Sequence, residues 1–208
     1  MQSAGSGKPE TLSDYARFYL KDYADAVAGF LNRLGLRPNT VTFLGLLGHF
    51  LAAYLVIRGF LAWAGVVTLF SGLFDFLDGS MARLRGESSS YGAFVDSVTD
   101  RYSEFVLFFA LMFYFYQQQN LFSCIGVTLA VIGSVMVSYV RARGESLGYS
   151  VKIGILSRLE RYIVLVPGLL FNIPAIAVWI IGVLANFTAL QRIAHVRRQA
   201  CAQRSLQE

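Results

Sequence analysis

The chain has 208 residues, of which 55% are apolar and only 15% charged, with a mean hydropathy of +0.52. A soluble domain carries about 25% charged residues, so an ordinary soluble enzyme, a disordered chain and a disulfide scaffold are excluded and an integral membrane protein is indicated. Cys124 and Cys201 lie far apart in different surroundings and give neither a disulfide framework nor a metal cluster. The net charge of +5 has to be judged by where the basic residues fall between the apolar runs.

Residues 1–10 are polar, with no apolar core of a secretory signal, and a mobile tail is expected over residues 1–12. Residues 13–34 read as an amphipathic helix lying in the membrane interface. Tyr15, Tyr19, Tyr23, Val27, Leu31 and Leu34 recur at steps of three or four, while Asp14, Lys21, Asp22, Asp25 and Arg33 fill other faces. Arg37, Pro38, Asn39 and Thr40 form a turn in which Asn39 or Thr40 is placed to cap the next helix.

Apolar runs follow at 41–57, at 60–74, at the end of a helix expected to begin near Gly92, and at 121–140. A last uncharged stretch, 162–191, exceeds one crossing and should break at Asn172, Ile173 and Pro174. Its first half is then expected to begin near Ile153 and its second to run from Ala175 to Ala194. A crossing needs about 20 helical residues. The sequence therefore predicts an all-α polytopic membrane protein, six transmembrane helices preceded by an interfacial helix. The membrane domain is expected over 13–198 and a C-terminal tail over 199–208.

Six crossings put both termini on one side. The loops at 58–59, 117–120 and 172–174 hold only Arg58 of the 18 Lys+Arg, so the other 17 belong to the opposite side. The positive-inside rule then makes both termini cytoplasmic, in a multi-pass protein of the cytoplasmic membrane. Topology accounts for the basic excess, and no nucleic-acid partner is expected.

The residues with most chemical content lie between the second and third runs. Asp75 and Asp78 are three apart, Asp96 and Asp100 four apart, so each pair shares a helix face. Four carboxylates brought together in a low dielectric repel strongly and need protons, basic partners or cations. Oxygen ligands without His or Cys suit Mg²⁺ or Mn²⁺, and paired ions are a common device at phosphorus. The residues alone leave two alternatives, a water-facing acidic surface and the ion path of a membrane cation transporter. A transporter favours midplane acids and inverted repeats, whereas these acids cluster toward one end and no repeat is seen.

Asp75, Asp78, Gly79, Ala82, Arg83, Gly92, Asp96 and Asp100 together fill the pattern D-x2-D-G-x2-A-R-x8-G-x3-D-x3-D. It resembles the signature of the CDP-alcohol phosphotransferase family. The resemblance implies an enzyme that transfers a phosphatidyl group from CDP-diacylglycerol to an acceptor hydroxyl with release of CMP. It implies two Mg²⁺ or Mn²⁺ ions, with Asp75 and Asp96 bridging both, Asp78 holding one, and Asp100 as general base that also touches a metal. It places Asp75, Gly79, Arg83 and Ser89, with Pro38, Asn39, Thr40 and Val41, against the CDP-lipid, and it implies a homodimer.

For the acceptor, Arg141, Arg143, Lys152, Arg158 and Arg161, with Arg197 from the C-terminal region, would attract a phosphorylated polyol. The stretches S-Y-x-R-A-R-x-E (138–145) and R-x-E-R (158–161) look most like bacterial phosphatidylinositol-phosphate synthases and their archaeal archaetidylinositol-phosphate relatives. That likeness implies inositol phosphate as acceptor, although Leu159 stands where those proteins often carry proline. The rival within the family is phosphatidylglycerophosphate synthase, which uses glycerol 3-phosphate; it more often has proline where this chain has Ser97. His49 and His195 read as core or interface residues. Glu104 is expected to tune the site or pair with Arg101. Gly126, Ala130, Gly133, Ser134 and Ser138 could form a close helix–helix seam, which suits a dimer.

Overall fold

The computed structural model describes residues 12–87 and 89–204, by backbone alone for 12–22 and 204. The expected N-terminal tail lies outside the described residues, Leu12 apart. Seven helices follow in order: α1 Leu12–Arg33, α2 Pro38–Ile57, α3 Leu61–Arg85, α4 Ser90–Gln117, α5 Leu121–Ser146, α6 Arg158–Leu170 and α7 Pro174–Arg204. No strand occurs among the described residues, so the all-α expectation holds. Four helices, α2, α3, α5 and α7, are long and apolar enough to cross a membrane.

Local chemistry explains most of the boundaries. α2 starts at Pro38, whose ring fixes the helical φ and whose missing N–H would be unpaired there anyway. Arg37 is the N-cap residue, without a side-chain hydrogen bond, so neither Asn39 nor Thr40 serves as the cap. α3 runs unbroken past the apolar stretch to Arg85, and Gly86 ends it at φ +67°. Ser89 caps α4 by accepting from the Gly92 N–H at 3.0 Å, and the helix begins two residues before Gly92. The break at 171–173 is where the sequence puts it, with Asn172 at φ +56° and Pro174 opening α7.

Two boundaries differ from expectation. α6 begins at Arg158 and not near Ile153. Residues 150–154 and 156–157 are non-helical and are held on α7: Thr188 Oγ1 accepts from the Leu156 N–H at 3.1 Å, and Arg192 Nε donates to the Ile153 carbonyl at 2.8 Å. Gly154, at φ +131°, sits too close to Thr188 for any side chain. The 13 residues of α6 therefore span about 20 Å at 1.5 Å per residue, short of the roughly 30 Å of bilayer hydrocarbon. At the other end, α7 continues to Arg204, beyond the expected end near Ala194 and into the segment expected to be a tail.

α2 packs on α3 and α4, α3 on α1 and α6, α5 on α4 and α7, and α6 on α7. Val56, Leu107, Phe108, Leu111, Val127, Leu169 and Ile181 are fully enclosed in the shared core. The small-residue seam of α5 is real, but α7 fills it. A Cβ on Gly133 would strike Ala185 and Asn186, and Gly182 lies against the Gly126 carbonyl and Ala130. Asn186 Nδ2 adds a bond to the Leu129 carbonyl at 2.8 Å. The seam is thus an internal joint and offers no dimer face. α1 buries Ala24 and Ala28 and exposes Tyr23, Val27 and Phe30, and Leu34 just beyond it is exposed as well. Its end is tied to α3 by Arg85, whose Nε donates to Asn32 Oδ1 at 2.7 Å and whose Nη2 donates to the Leu36 carbonyl at 2.6 Å.

Candidate active site

Because α3 extends to Arg85 and α4 begins at Ser90, the two acidic helix faces meet at one end of the bundle. Asp78 and Asp100 are buried, the Asp75 side chain is 5% exposed, and Asp96 is half-buried. Asp75 and Asp96 both lie near enough to act electrostatically on Asp78 and on Asp100. Gly45 of α2 lets the Asp75 carboxyl approach: a Cβ there would collide with Oδ1.

Two contacts order these acids. Arg158, at the mouth of α6, donates from Nη2 to Asp75 Oδ2 at 2.9 Å and pairs through Nη1 with Asp100 Oδ1 at 2.6 Å. Its guanidinium thus bridges an acid of α3 to an acid of α4 and supplies the basic partner that a buried carboxylate cluster requires. The Thr42 hydroxyl donates to Asp78 Oδ2 at 2.5 Å. With these partners in place, no three acids, histidines or cysteines among the described residues gather around one point.

The acids nonetheless suit a divalent cation. The donor set is all carboxylate oxygen, and Asp75 Oδ1 is buried with no hydrogen-bond partner. Such an oxygen is costly to leave unpaired, and a hard cation would satisfy it.

The remaining expected site residues are distributed as follows. Pro38 is half-buried, Asn39 and Thr40 are exposed, and Val41 is enclosed against Ala28 and Met81. Arg83 is exposed and donates to Ser80 Oγ at 2.7 Å. Ser89 is exposed at the start of α4. Arg161 is buried in a two-pronged pair with Glu104, at 2.6 and 3.1 Å. Glu104 therefore pairs with Arg161 and not with Arg101, whose Nη1 binds the Ser97 carbonyl and lies 3.8 Å from Asp100. Arg141 pairs with Glu145 at the surface at 3.0 Å, while Arg143, Lys152 and Arg197 are exposed. Two of the six expected acceptor cations thus sit within buried acid networks.

Sequence reasoning missed Thr42, the Tyr162 partner of His49, whose core placement it did expect, and the burial of Arg192. Thr42 lies one residue beyond the 38–41 segment expected against the CDP-lipid, and nothing local marks it. His49 is fully buried, with Nδ1 2.7 Å from the Gly45 carbonyl and Nε2 hydrogen-bonded to the Tyr162 hydroxyl. The carbonyl can only accept, so Nδ1 carries the proton and Tyr162 donates. The Tyr162 ring in turn lies 5.8 Å from the Arg158 guanidinium. Arg192, read as one more basic residue of the C-terminal region, is buried and donates to the Val137 and Ile153 carbonyls. A cleft of about 450 Å³ lies between 153–155 and α7, lined also by Gln191, Ala194, His195 and Arg198.

The family model for CDP-alcohol phosphatidyltransferases matches residues 36–191, which contain all four aspartates and both α6 arginines. The chain belongs to the CDP-alcohol phosphatidyltransferase family. It is 35% identical over 206 residues to a phosphatidylinositol phosphate synthase of Streptomyces avermitilis, covering 91% of this chain and 84% of that protein. It is 33% identical over 181 residues to an archaetidylinositol phosphate synthase of Pyrococcus horikoshii, covering 86% and 94%. Crystal structures of a Mycobacterium tuberculosis phosphatidylinositol phosphate synthase, 30% identical, superpose with TM-scores of 0.77 with CDP-DAG bound and 0.78 with manganese and citrate. They cover 83% of this chain and 92% and 88% of those chains. Membership of this transferase family and four apolar helices make the chain a multi-pass membrane enzyme.

Proposed function

We propose that the enzyme transfers the phosphatidyl group of CDP-diacylglycerol to a hydroxyl of inositol phosphate, forming phosphatidylinositol phosphate and CMP. The observation that carries this reading is the acidic signature laid across the joined ends of α3 and α4, with an arginine of the R-x-E-R stretch bridging Asp75 and Asp100. The relatives named phosphatidylinositol phosphate synthase and archaetidylinositol phosphate synthase support the acceptor. The neighbour solved with CDP-DAG supports the donor.

In this mechanism Asp100 takes the proton of the acceptor hydroxyl as its oxygen bonds to the lipid-side phosphorus and the bond to CMP breaks. Two divalent cations, Mg²⁺ or Mn²⁺, held by Asp75, Asp78, Asp96 and Asp100, would supply charge neutralisation on the diphosphate. Residues 38–41, Gly79, Arg83 and Ser89 hold the CDP end, with Arg83 forking onto phosphate. Arg141, Arg143, Lys152, Arg158, Arg161 and Arg197 draw in the acceptor's phosphate. For Arg158 and for Arg161, which is buried against Glu104, this requires exchange of a carboxylate partner for the phosphate.

The reading includes a topology. α4, with 28 residues, crosses the bilayer, and α6 crosses together with the non-helical residues before it, for six crossings in all. α1 lies in the interface with its exposed aromatic and aliphatic side chains toward lipid. Both termini and the acidic end face the cytoplasm, residues 13–198 form the membrane domain, and the enzyme acts as a homodimer in the cytoplasmic membrane.

The test is an acceptor panel. Purified protein, CDP-diacylglycerol and Mg²⁺ are incubated with inositol phosphate, glycerol 3-phosphate or free inositol, and the lipid product is weighed by mass spectrometry. Phosphatidylinositol phosphate is expected from the first alone. Phosphatidylglycerophosphate would move the acceptor to glycerol 3-phosphate, and free inositol as the best acceptor would remove the phosphate-binding role of the arginines.

A further inference from the structure

Thr42 belongs to neither the acidic signature nor the turn at 38–41, yet its hydroxyl meets Asp78 Oδ2 at 2.5 Å. The same oxygen is 3.2 Å from the Pro38 carbonyl. A hydroxyl has one proton to give, and the charged acceptor at shorter range receives it. Thr42 is 8% and Asp78 6% exposed, so water does not compete for the bond. The backbone on either side is held: Val41 is packed against Ala28 and Met81, and Gly45, one turn on, lies against Asp75.

We infer that Thr42 is a positioning residue for Asp78. A carboxylate turns readily about its terminal torsion, and a donor on Oδ2 stops that turn and leaves Oδ1 as the oxygen to present to a cation. Asp75 differs, with Oδ2 held by Arg158 and Oδ1 held by nothing. The bond also joins the first turn of α2, which carries the proposed cytidine-binding residues, to the acidic end of α3. This inference rests on the metal reading of the aspartates given above.

Thr42→Val keeps the side chain's shape and removes the donor; Thr42→Ser keeps the donor. Mn²⁺ binding to each purified protein is measured by electron paramagnetic resonance of the free ion, without either substrate, beside Asp78→Asn. Removing an outer partner of a metal ligand typically lowers metal affinity 10- to 100-fold. A loss of about that size is expected for Thr42→Val, with recovery to within a few-fold in Thr42→Ser and a loss in Asp78→Asn. In turnover, Thr42→Val should need correspondingly more Mn²⁺ for half-maximal CMP release, with the KM for CDP-diacylglycerol at saturating metal little changed. If Thr42→Val does not fold, Thr42→Ala is judged by the same binding measurement. Undiminished Mn²⁺ affinity in the folded variant, even with a lowered unfolding temperature, overturns the inference while Asp78→Asn still loses affinity. If Asp78→Asn also binds Mn²⁺ normally, the metal role of Asp78 fails, and this inference with it.

Discussion

The acidic end where α3, α4 and α6 meet and the seam between α5 and α7 are built on opposite principles. At the first, charged groups are buried and each is answered: Arg158 by Asp75 and Asp100, Arg161 by Glu104, Asp78 by Thr42. At the second, glycines let helices touch, and Asn186 supplies the side-chain bond. The hydrophobic effect does not drive helices together within lipid, so each joint needs close packing or polar bonds. The seam uses shape and tolerates no added volume. The acidic end uses charge and leaves Asp75 Oδ1 without a partner, and its ion pairs are also those that a substrate or cation could exchange. That difference is why we propose the acidic end as the place of the chemistry.

The strongest way to break this comparison is to remove an acid. Asp75→Asn, Asp96→Asn and Asp100→Asn are each expected to abolish CMP release while the protein still elutes as a folded species. Chelator should do the same to the unaltered enzyme, and Mg²⁺ or Mn²⁺ should restore it. Turnover in excess chelator would remove the metal from the reaction.

The next effect concerns stability. Glu104→Gln leaves Arg161 buried without its counter-charge, which costs about 3–5 kcal/mol when such a pair is broken. A matched apolar pair, Glu104→Leu with Arg161→Met, should recover much of the loss in thermal unfolding in detergent. Gly133→Val in the seam is expected to cost about 1–3 kcal/mol by overpacking and to leave Mn²⁺ affinity unchanged in the folded fraction. A matching drop in metal affinity would mean that the two regions are coupled.

Arg158→Gln sharpens the comparison from the other side. The guanidinium and a divalent cation compete for the same carboxylate oxygens. Losing a charge-assisted contact of about 1.5–3 kcal/mol should lower the Mn²⁺ needed for half-saturation by about 10- to 150-fold. The acceptor KM is expected to rise in the same variant. The smallest effect is expected at Arg141→Gln, whose pair with Glu145 is exposed. Exposed pairs contribute roughly 0–1 kcal/mol, so unfolding should hardly change, and any rise in acceptor KM would be the sign of a role in binding.

The acidic site was legible because its spacing is local. Asp75 with Asp78 and Asp96 with Asp100 share faces once a helix forms, and α4 begins only five residues after α3 ends. The break at Asn172 and Pro174 was legible for the same reason. The partners were not. Arg158 lies 83 positions from Asp75, Arg161 lies 57 from Glu104, and His49 lies 113 from Tyr162. Reading Glu104 against Arg101 failed because the nearer residue in sequence points elsewhere, to the Ser97 carbonyl. Placing the start of α6 near Ile153 failed because hydropathy cannot register that Thr188 and Arg192 of α7 draw 153–156 out of a helix.

By itself, then, the sequence determined the helical architecture through composition and periodicity and the pairing of the four aspartates through short fixed spacings, and its signature carried the resemblance to the family. Tertiary structure alone decided which cation faces which acid, that the α5 seam closes on α7 and not on a second chain, and that a threonine of α2 holds Asp78. The physical reason is the same in each case. A buried charge or a close helix contact is settled by whatever group the packing brings within about 3 Å for hydrogen-bond partners, and helices far apart in the chain supply that group.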